Sequence, residues 1–207
     1  MDRTTIATNL RAHLPVPCDR LDLRPAAVLV PVFPTDRGLS VCLIRRPEAM
    51  RNHAGQIAFP GGGFDIGDRD LSHTAVRETH EELGVDPAQI EILGSLDETW
   101  TPSGYRMTPF VGWLEGPPIW TPDPREVAEV LCPSVELFME PNCFRQEYWE
   151  RGGVRYRVAF FDIEGGPVWG ATARVLFRFL QLGFGWRSGD LEPWEIPATG
   201  TDSGAPE

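Results

Sequence analysis

Apolar residues Ile6, Leu10 and Leu14 recur every four positions through residues 2–14, the spacing of a short amphipathic helix. Two near-continuous apolar runs follow, residues 26–33 and 39–44, each of buried-strand length. The turn-forming stretch 34–38, Pro-Thr-Asp-Arg-Gly, separates them and predicts a hairpin. Pro31 interrupts the first run, which points to a bulge or an edge position there, because proline cannot donate to a strand ladder. The pattern predicts a helix over Leu71–Leu83 and further strands over 90–96, 108–114 and 154–163. Residues 171–182 are apolar on several sides and predict a covered helix. Strands mixed with helices in this order make an α/β protein, an α/β/α sandwich with a mixed β-sheet. From residue 187 onward the chain is rich in Pro, Gly, Ser, Thr and acids and reads as a flexible tail. The expected organisation is a lead-in with one helix over 1–24, a main domain over 25–186 and the tail over 187–207.

The chemistry concentrates in residues 77–85, Arg-Glu-Thr-His-Glu-Glu-Leu-Gly-Val, a short way after Gly61–Gly63. On a 3.6-residue repeat Glu78 and Glu82 are i,i+4 neighbours and Glu78 and Glu81 are i,i+3 neighbours, so the three carboxylates project from one side. Like charges at that spacing destabilise an isolated helix. A cation removes the penalty, and oxygen-only ligands suit a hard divalent ion such as Mg²⁺ or Mn²⁺. A solvated acidic face is the plainer reading of the triplet alone, but its flanks are specific. Arg77 precedes Glu81 by four residues and can hold that carboxylate, Gly84 supplies a left-handed helix end, and the glycine triplet lets the backbone approach a bound group.

With these residues in place the chain resembles a Nudix hydrolase. That family's signature runs Gly, five residues, Glu, seven residues, Arg-Glu, an apolar residue, any residue, Glu-Glu, any residue, Gly, apolar. Gly62 is followed by five residues and then Asp68 where the family has Glu, and eight residues separate Asp68 from Arg77. Thr79 replaces the apolar residue, while Glu81, Glu82, Gly84 and Val85 match. The segment 42–62 is similar to the pattern of the coenzyme A pyrophosphatase branch, with Arg46, Arg51, Gly55 and Phe-Pro-Gly-Gly at residues 59–62 all at its spacing. Ile44 and Pro47 depart from it, and 168–176 resembles the last helix of that branch.

The resemblance implies a metal-dependent hydrolase of coenzyme A or its thioesters, yielding 3′,5′-ADP and 4′-phosphopantetheine. Glu78, Glu81 and Glu82 are then the metal ligands, with Mg²⁺ or Mn²⁺ as cofactor, and Glu81 and Glu82 belong to the catalytic set. Arg46, Arg51, Gly61, Gly62 and Gly63 form the expected substrate-binding set, since guanidinium groups fork onto phosphate oxygens; a structural ion pair is the alternative for each arginine. Nudix enzymes often take the general base from a loop outside the motif. Glu126 or Glu129 fits that description, Glu129 being the catalytic candidate; an exposed acidic turn explains both equally well. His53 and His80 read as packing or surface residues, and the aromatics of 100–105 as either substrate-lining or packing groups.

Composition narrows the alternatives. The 207 residues are 42% apolar, enough for one domain with a sizeable core, and Asp and Glu outnumber Lys and Arg by 30 to 19, a net charge of −11. That balance disfavours nucleic acid and acidic membrane surfaces, so a small anionic substrate depends on local arginines and metal. Cys18, Cys42, Cys132 and Cys143 show no C-x-x-C spacing, which suits free thiols in a reducing compartment. No apolar run approaches the roughly 18 residues of a membrane span, and no signal peptide is visible, so a cytoplasmic location is expected. A homodimer is compatible with the apolar content. The competing functions are a Nudix pyrophosphatase for ADP-ribose or a dinucleotide, and a non-catalytic nucleotide-binding module.

Overall fold

The computed structural model describes residues 1–50, 53–151 and 154–188. Its elements run α1 (Arg3–Arg11), β1 (Arg24–Thr35), β2 (Gly38–Val41), β3 (Leu43–Arg45), β4 (Ile57–Ala58), β5 (Gly61–Gly63), α2 (Leu71–Leu83), β6 (Glu91–Ser95), β7 (Thr99–Thr101), β8 (Tyr105–Trp113), β9 (Glu129–Leu131), α3 (Val135–Phe138), β10 (Phe144–Arg151), β11 (Val154–Ile163), β12 (Gly166–Trp169) and α4 (Gly170–Phe184).

The central sheet is ordered β2-β1-β8-β6 and is mixed. β1 and β8 run parallel from Arg24 opposite Tyr105 to Val32 opposite Trp113, and the other pairs are antiparallel. The free side of β1 is shared: β5 pairs with residues 26–28 and β2 with residues 32–35. Pro31 sits at the joint between them. It is therefore inside the strand rather than at an edge, tolerated because neither antiparallel partner needs its missing N–H. Two small sheets, β4-β3-β9 and β10-β11-β12, complete the strands.

Side-chain alternation along β1 builds the three layers. Ala27 and Leu29 face α2 through Ala75, with Leu71, Ile92 and Phe110 packed around them. Val30 and Val32 face the opposite way, into a large core with Ile6 and Leu10 of α1 and Leu176, Phe177 and Leu180 of α4. The result is the expected α/β/α sandwich with a mixed sheet. α2 occupies the expected residues and is closed at both ends. The Asp70 carboxylate accepts from the His73 N–H at 2.8 Å, and Gly84 at φ 70° donates to the His80 carbonyl.

Two expectations change. The first helix stops at Arg11, and Leu14 is 87% exposed instead of continuing the apolar face. Pro15 accounts for this, since a proline disfavours helical backbone at the preceding residue. The 39–44 run is two strands, broken at Cys42 where its N–H turns to the Pro31 carbonyl. The 100–105 segment joins two strands as the turn of the β7–β8 hairpin, with Trp100 in β7 and Tyr105 in β8. The tail expected from residue 187 lies almost wholly outside the described residues.

Candidate active site

Helix α2 packs against β5, and their contact is the site's foundation. Gly62 lies against the Glu78 carboxylate so closely that a Cβ there would fall 2.5 Å from it, and any larger residue would push that carboxylate aside. Beside it the Gly61 N–H donates to Glu82 Oε2 at 2.9 Å. Two residues of the glycine triplet thus touch two of the three motif carboxylates.

Glu82 is 1% exposed. Burial pushes its carboxyl up to about 8, against the opposing pull of the Gly61 N–H and the Arg46 guanidinium, while Glu78 and Glu126 push it further up. Glu78 is raised for the same leading reason, burial, opposed by Arg77 and reinforced by Glu81 and Glu126. Glu81 extends outward and is half-exposed. The helix period placed all three on one side, but the structure separates an inner pair from an outer member.

Arg77 is the hub. Its Nη1 lies 2.9 Å from both Glu78 Oε1 and Glu81 Oε2, and its Nη2 donates to the Gly63 carbonyl at 3.2 Å. The rest of the guanidinium grips Asp68, with Nε to Oδ1 at 2.8 Å and Nη2 to Oδ2 at 3.0 Å. Asp68 is buried and also accepts from the Thr74 hydroxyl and the Asp65 N–H, with His73 Nδ1 2.9 Å away. The Arg77 bond, above all, holds its carboxyl well below the usual carboxylate range. The role of Asp68, open from the sequence, is therefore to fix Arg77 behind the acidic cluster. An acid nine residues ahead of an arginine across a loop carries no periodic signal that would have shown it.

Of the expected substrate-binding arginines, Arg46 reaches the cluster, with Nη1 3.8 Å from Glu82 Oε1. Its Nε is buried without a hydrogen-bond partner. Arg51 lies outside the described residues. His53 Nδ1 lies 2.8 Å from Gln56 Oε1 and His80 Nδ1 2.9 Å from the Val85 carbonyl, so both have local partners.

Glu129 is not brought to the cluster. It stands opposite Arg45 in the β3–β9 pair, and Arg45 Nε donates to its carboxylate at 2.8 Å and Nη2 to the Gly165 carbonyl. The neighbouring pair, Ile44 and Val130, packs on the other side with Leu83 of α2. Alternation therefore turns Glu129 away from α2. Glu126 is the acid that faces it. Thr121 and Asp123 donate their N–H groups to the carbonyls of Leu83 and Glu82, strapping this segment to the end of α2. That strap brings Glu126 close enough to raise both Glu78 and Glu82.

The donor chemistry fits a hard divalent cation: three carboxylates on one helix, of which Glu78 and Glu82 are held back from ionising chiefly by burial, with Arg77 against Glu78 and Glu81 and Arg46 3.8 Å from Glu82. Among the described residues no group of three or more carboxylate, imidazole or thiol side chains is placed to hold a metal ion, so the fit is one of ligand type alone.

A model of the NUDIX domain matches residues 23–152. The chain belongs to the Nudix family. Members of this family are pyrophosphohydrolases that generally use divalent metal ions such as Mg²⁺ or Mn²⁺. The Nudix hydrolase NudL of Pectobacterium atrosepticum, itself uncharacterized, is 38% identical over 163 residues, which cover 77% of this chain and 83% of that protein. The chloroplastic Nudix hydrolase 22 of Arabidopsis thaliana is 35% identical over 162 residues, 75% of this chain and 54% of that protein. This Nudix chain thus spans about half the length of that plant relative. Among solved structures, the Nudix hydrolase RenU of M. smegmatis aligns at 24% identity and a TM-score of 0.48, over 55% of this chain and 71% of that one.

Proposed function

We propose that this Nudix chain hydrolyses the pyrophosphate linkage of coenzyme A or its thioesters, releasing 3′,5′-ADP and 4′-phosphopantetheine. The observation that carries the reading is Arg46. It holds the arginine position of the coenzyme A pyrophosphatase pattern, lies beside Glu82, and keeps a buried Nε with no protein acceptor. A buried donor without a partner is costly, and a phosphate oxygen would satisfy it.

Glu78, Glu82 and the outer Glu81 would hold Mg²⁺ or Mn²⁺, which when bound neutralises diphosphate charge. The residues of the chain supply the rest. Arg46, with Arg51 as its motif partner, clamps phosphate oxygens beside the backbone of Gly61, Gly62 and Gly63. Glu126, in place of Glu129, accepts a proton from the attacking water as the water oxygen bonds to phosphorus and the bridging P–O bond breaks. Arg77, fixed by Asp68, keeps Glu78 and Glu81 from drifting apart. Four free thiols support a reducing, cytoplasmic setting.

Product analysis by mass spectrometry tests the reading. Coenzyme A with Mg²⁺ or Mn²⁺ is expected to give 3′,5′-ADP and 4′-phosphopantetheine, with none formed in chelator. Intact coenzyme A under all metal conditions, alongside cleavage of ADP-ribose, would overturn the substrate and leave the Nudix chemistry standing.

A further inference from the structure

Cys42 and Cys132 are ninety positions apart in the numbering and share no sequence motif, yet the sheet sets them face to face. The β3–β9 register pairs Leu43 with Leu131 and Ile44 with Val130, and the same register continues to a bridge between Ser40 and Ser134. Cys42 therefore stands directly opposite Cys132. The Val41 N–H donates to the Pro133 carbonyl, which makes 41 and 133 a hydrogen-bonded pair and its neighbour, 42 and 132, a non-hydrogen-bonded one. The Cys42 N–H confirms this by turning the other way, to Pro31. Such pairs bring Cα atoms to about 4.5 Å with side chains close, inside the roughly 4.4–6.8 Å window that disulfides occupy. The two thiols are within hydrogen-bonding reach of each other, and both cysteines are free.

We propose that Cys42 and Cys132 form a reversible disulfide, a modification site beneath the acidic cluster. The proposal rests on strand register and does not depend on the substrate. Cys132 is exposed and Cys42 is buried with Ile44, Leu83 and Val127, so the two have different parts. The hydrogen bond from Cys42 holds the Cys132 thiol below its ordinary value, whereas burial raises Cys42 well above it. With a small disulfide such as glutathione disulfide as oxidant, Cys132 Sγ attacks one sulfur, the reagent's S–S bond breaks, and one glutathione leaves as thiol. Cys42 Sγ then attacks Cys132 Sγ, the mixed disulfide breaks, and the second glutathione leaves. The two cysteines lose two electrons and two protons, which the oxidant takes up.

The cross-link would tie the strand after the Glu126 strap to the strand under Leu83, the neighbour of Glu82. Cys18 and Cys143 have no such partner: Cys18 donates its N–H to Glu98, and Cys143 Sγ contacts the Asp162 carbonyl at 3.4 Å.

The test is to incubate the full chain with glutathione disulfide and map its peptides. The expected product is one cross-linked peptide joining Cys42 to Cys132, free of glutathione and reversed by dithiothreitol, with a Tm higher by roughly 5 °C or more. In Cys42→Ala, glutathione should remain trapped on Cys132. A glutathione adduct persisting on Cys132 of the unaltered chain, or a cross-link through Cys18 or Cys143, would overturn the proposal without bearing on coenzyme A hydrolysis.

Discussion

Glu82 carries opposite consequences for stability and activity. Its carboxyl ionises near pH 4.5 in an unfolded chain and only near 8 in the fold. The folded state therefore holds the proton more tightly, and ionisation works against the fold as pH rises from about 4.5 to about 8. Glu82→Gln keeps an acceptor for the Gly61 N–H and removes the charge. In metal-free buffer at pH 8 it should be more stable than the parent by about 1–3 kcal/mol, shrinking toward zero near pH 4.5, as urea unfolding would show. Its hydrolytic rate should fall by roughly 10²-fold or more. Asp68 has the opposite sign. Its lowered carboxyl contributes stability that is complete above the ordinary value of 3.8 and lost as pH falls through the lower folded value. Asp68→Ala removes the forked partner of Arg77, leaving Nε without its acceptor while Glu78 and Glu81 still face Nη1, and should cost about 3 kcal/mol at pH 7 in the same measurement. The sequence made Glu78, Glu81 and Glu82 legible because a helix period brings them together. It did not separate the inner pair from Glu81, because depth depends on how β5 lies against α2.

At the scale of elements, α2 was the most legible piece: the bounds 71–83 and the Gly84 end agree with the structure, which adds the Asp70 cap. The strands it packs on were less so. A glycine triplet has no strand propensity, and β5 pairs with β1 through an approach at Gly61 where a Cβ would fall 2.4 Å from the Ala27 carbonyl oxygen. β10, with Arg145, Glu147 and Trp149 on one face, lacks the apolar run that marks a buried strand. The acidic stretch near 126–130 likewise concealed a strap followed by a strand, which is why Glu129 and Glu126 could not be told apart before their faces were known. Kinetics of the two variants separates them. Glu126→Gln should lower kcat by about 10²-fold with little change in KM, whereas Glu129→Gln should stay near parental activity. Equal losses in both would contradict the assignment.

Across the whole molecule, α1 is part of the sandwich rather than an appendage to it. Ile6 and Leu10 are buried with α4 and β6, and Asn9 Nδ2 donates to the Gly183 carbonyl. Ile6→Ala should therefore cost about 2–4 kcal/mol in urea unfolding, as for a core position. A loss below about 0.5 kcal/mol would mean that the helix is peripheral. A net charge of −11 gives an anionic substrate no long-range attraction, so affinity must come from Arg46, its motif partner Arg51 and a cation. The most direct measurement of the central claim is kcat/KM for coenzyme A against ADP-ribose and NADH, with Mg²⁺, in one assay with Arg46→Ala beside the parent. Coenzyme A is expected to lead by at least roughly tenfold, and Arg46→Ala to lose about 10²-fold on it. Faster turnover of ADP-ribose or NADH, or an Arg46→Ala variant as active as the parent on coenzyme A, would contradict that claim.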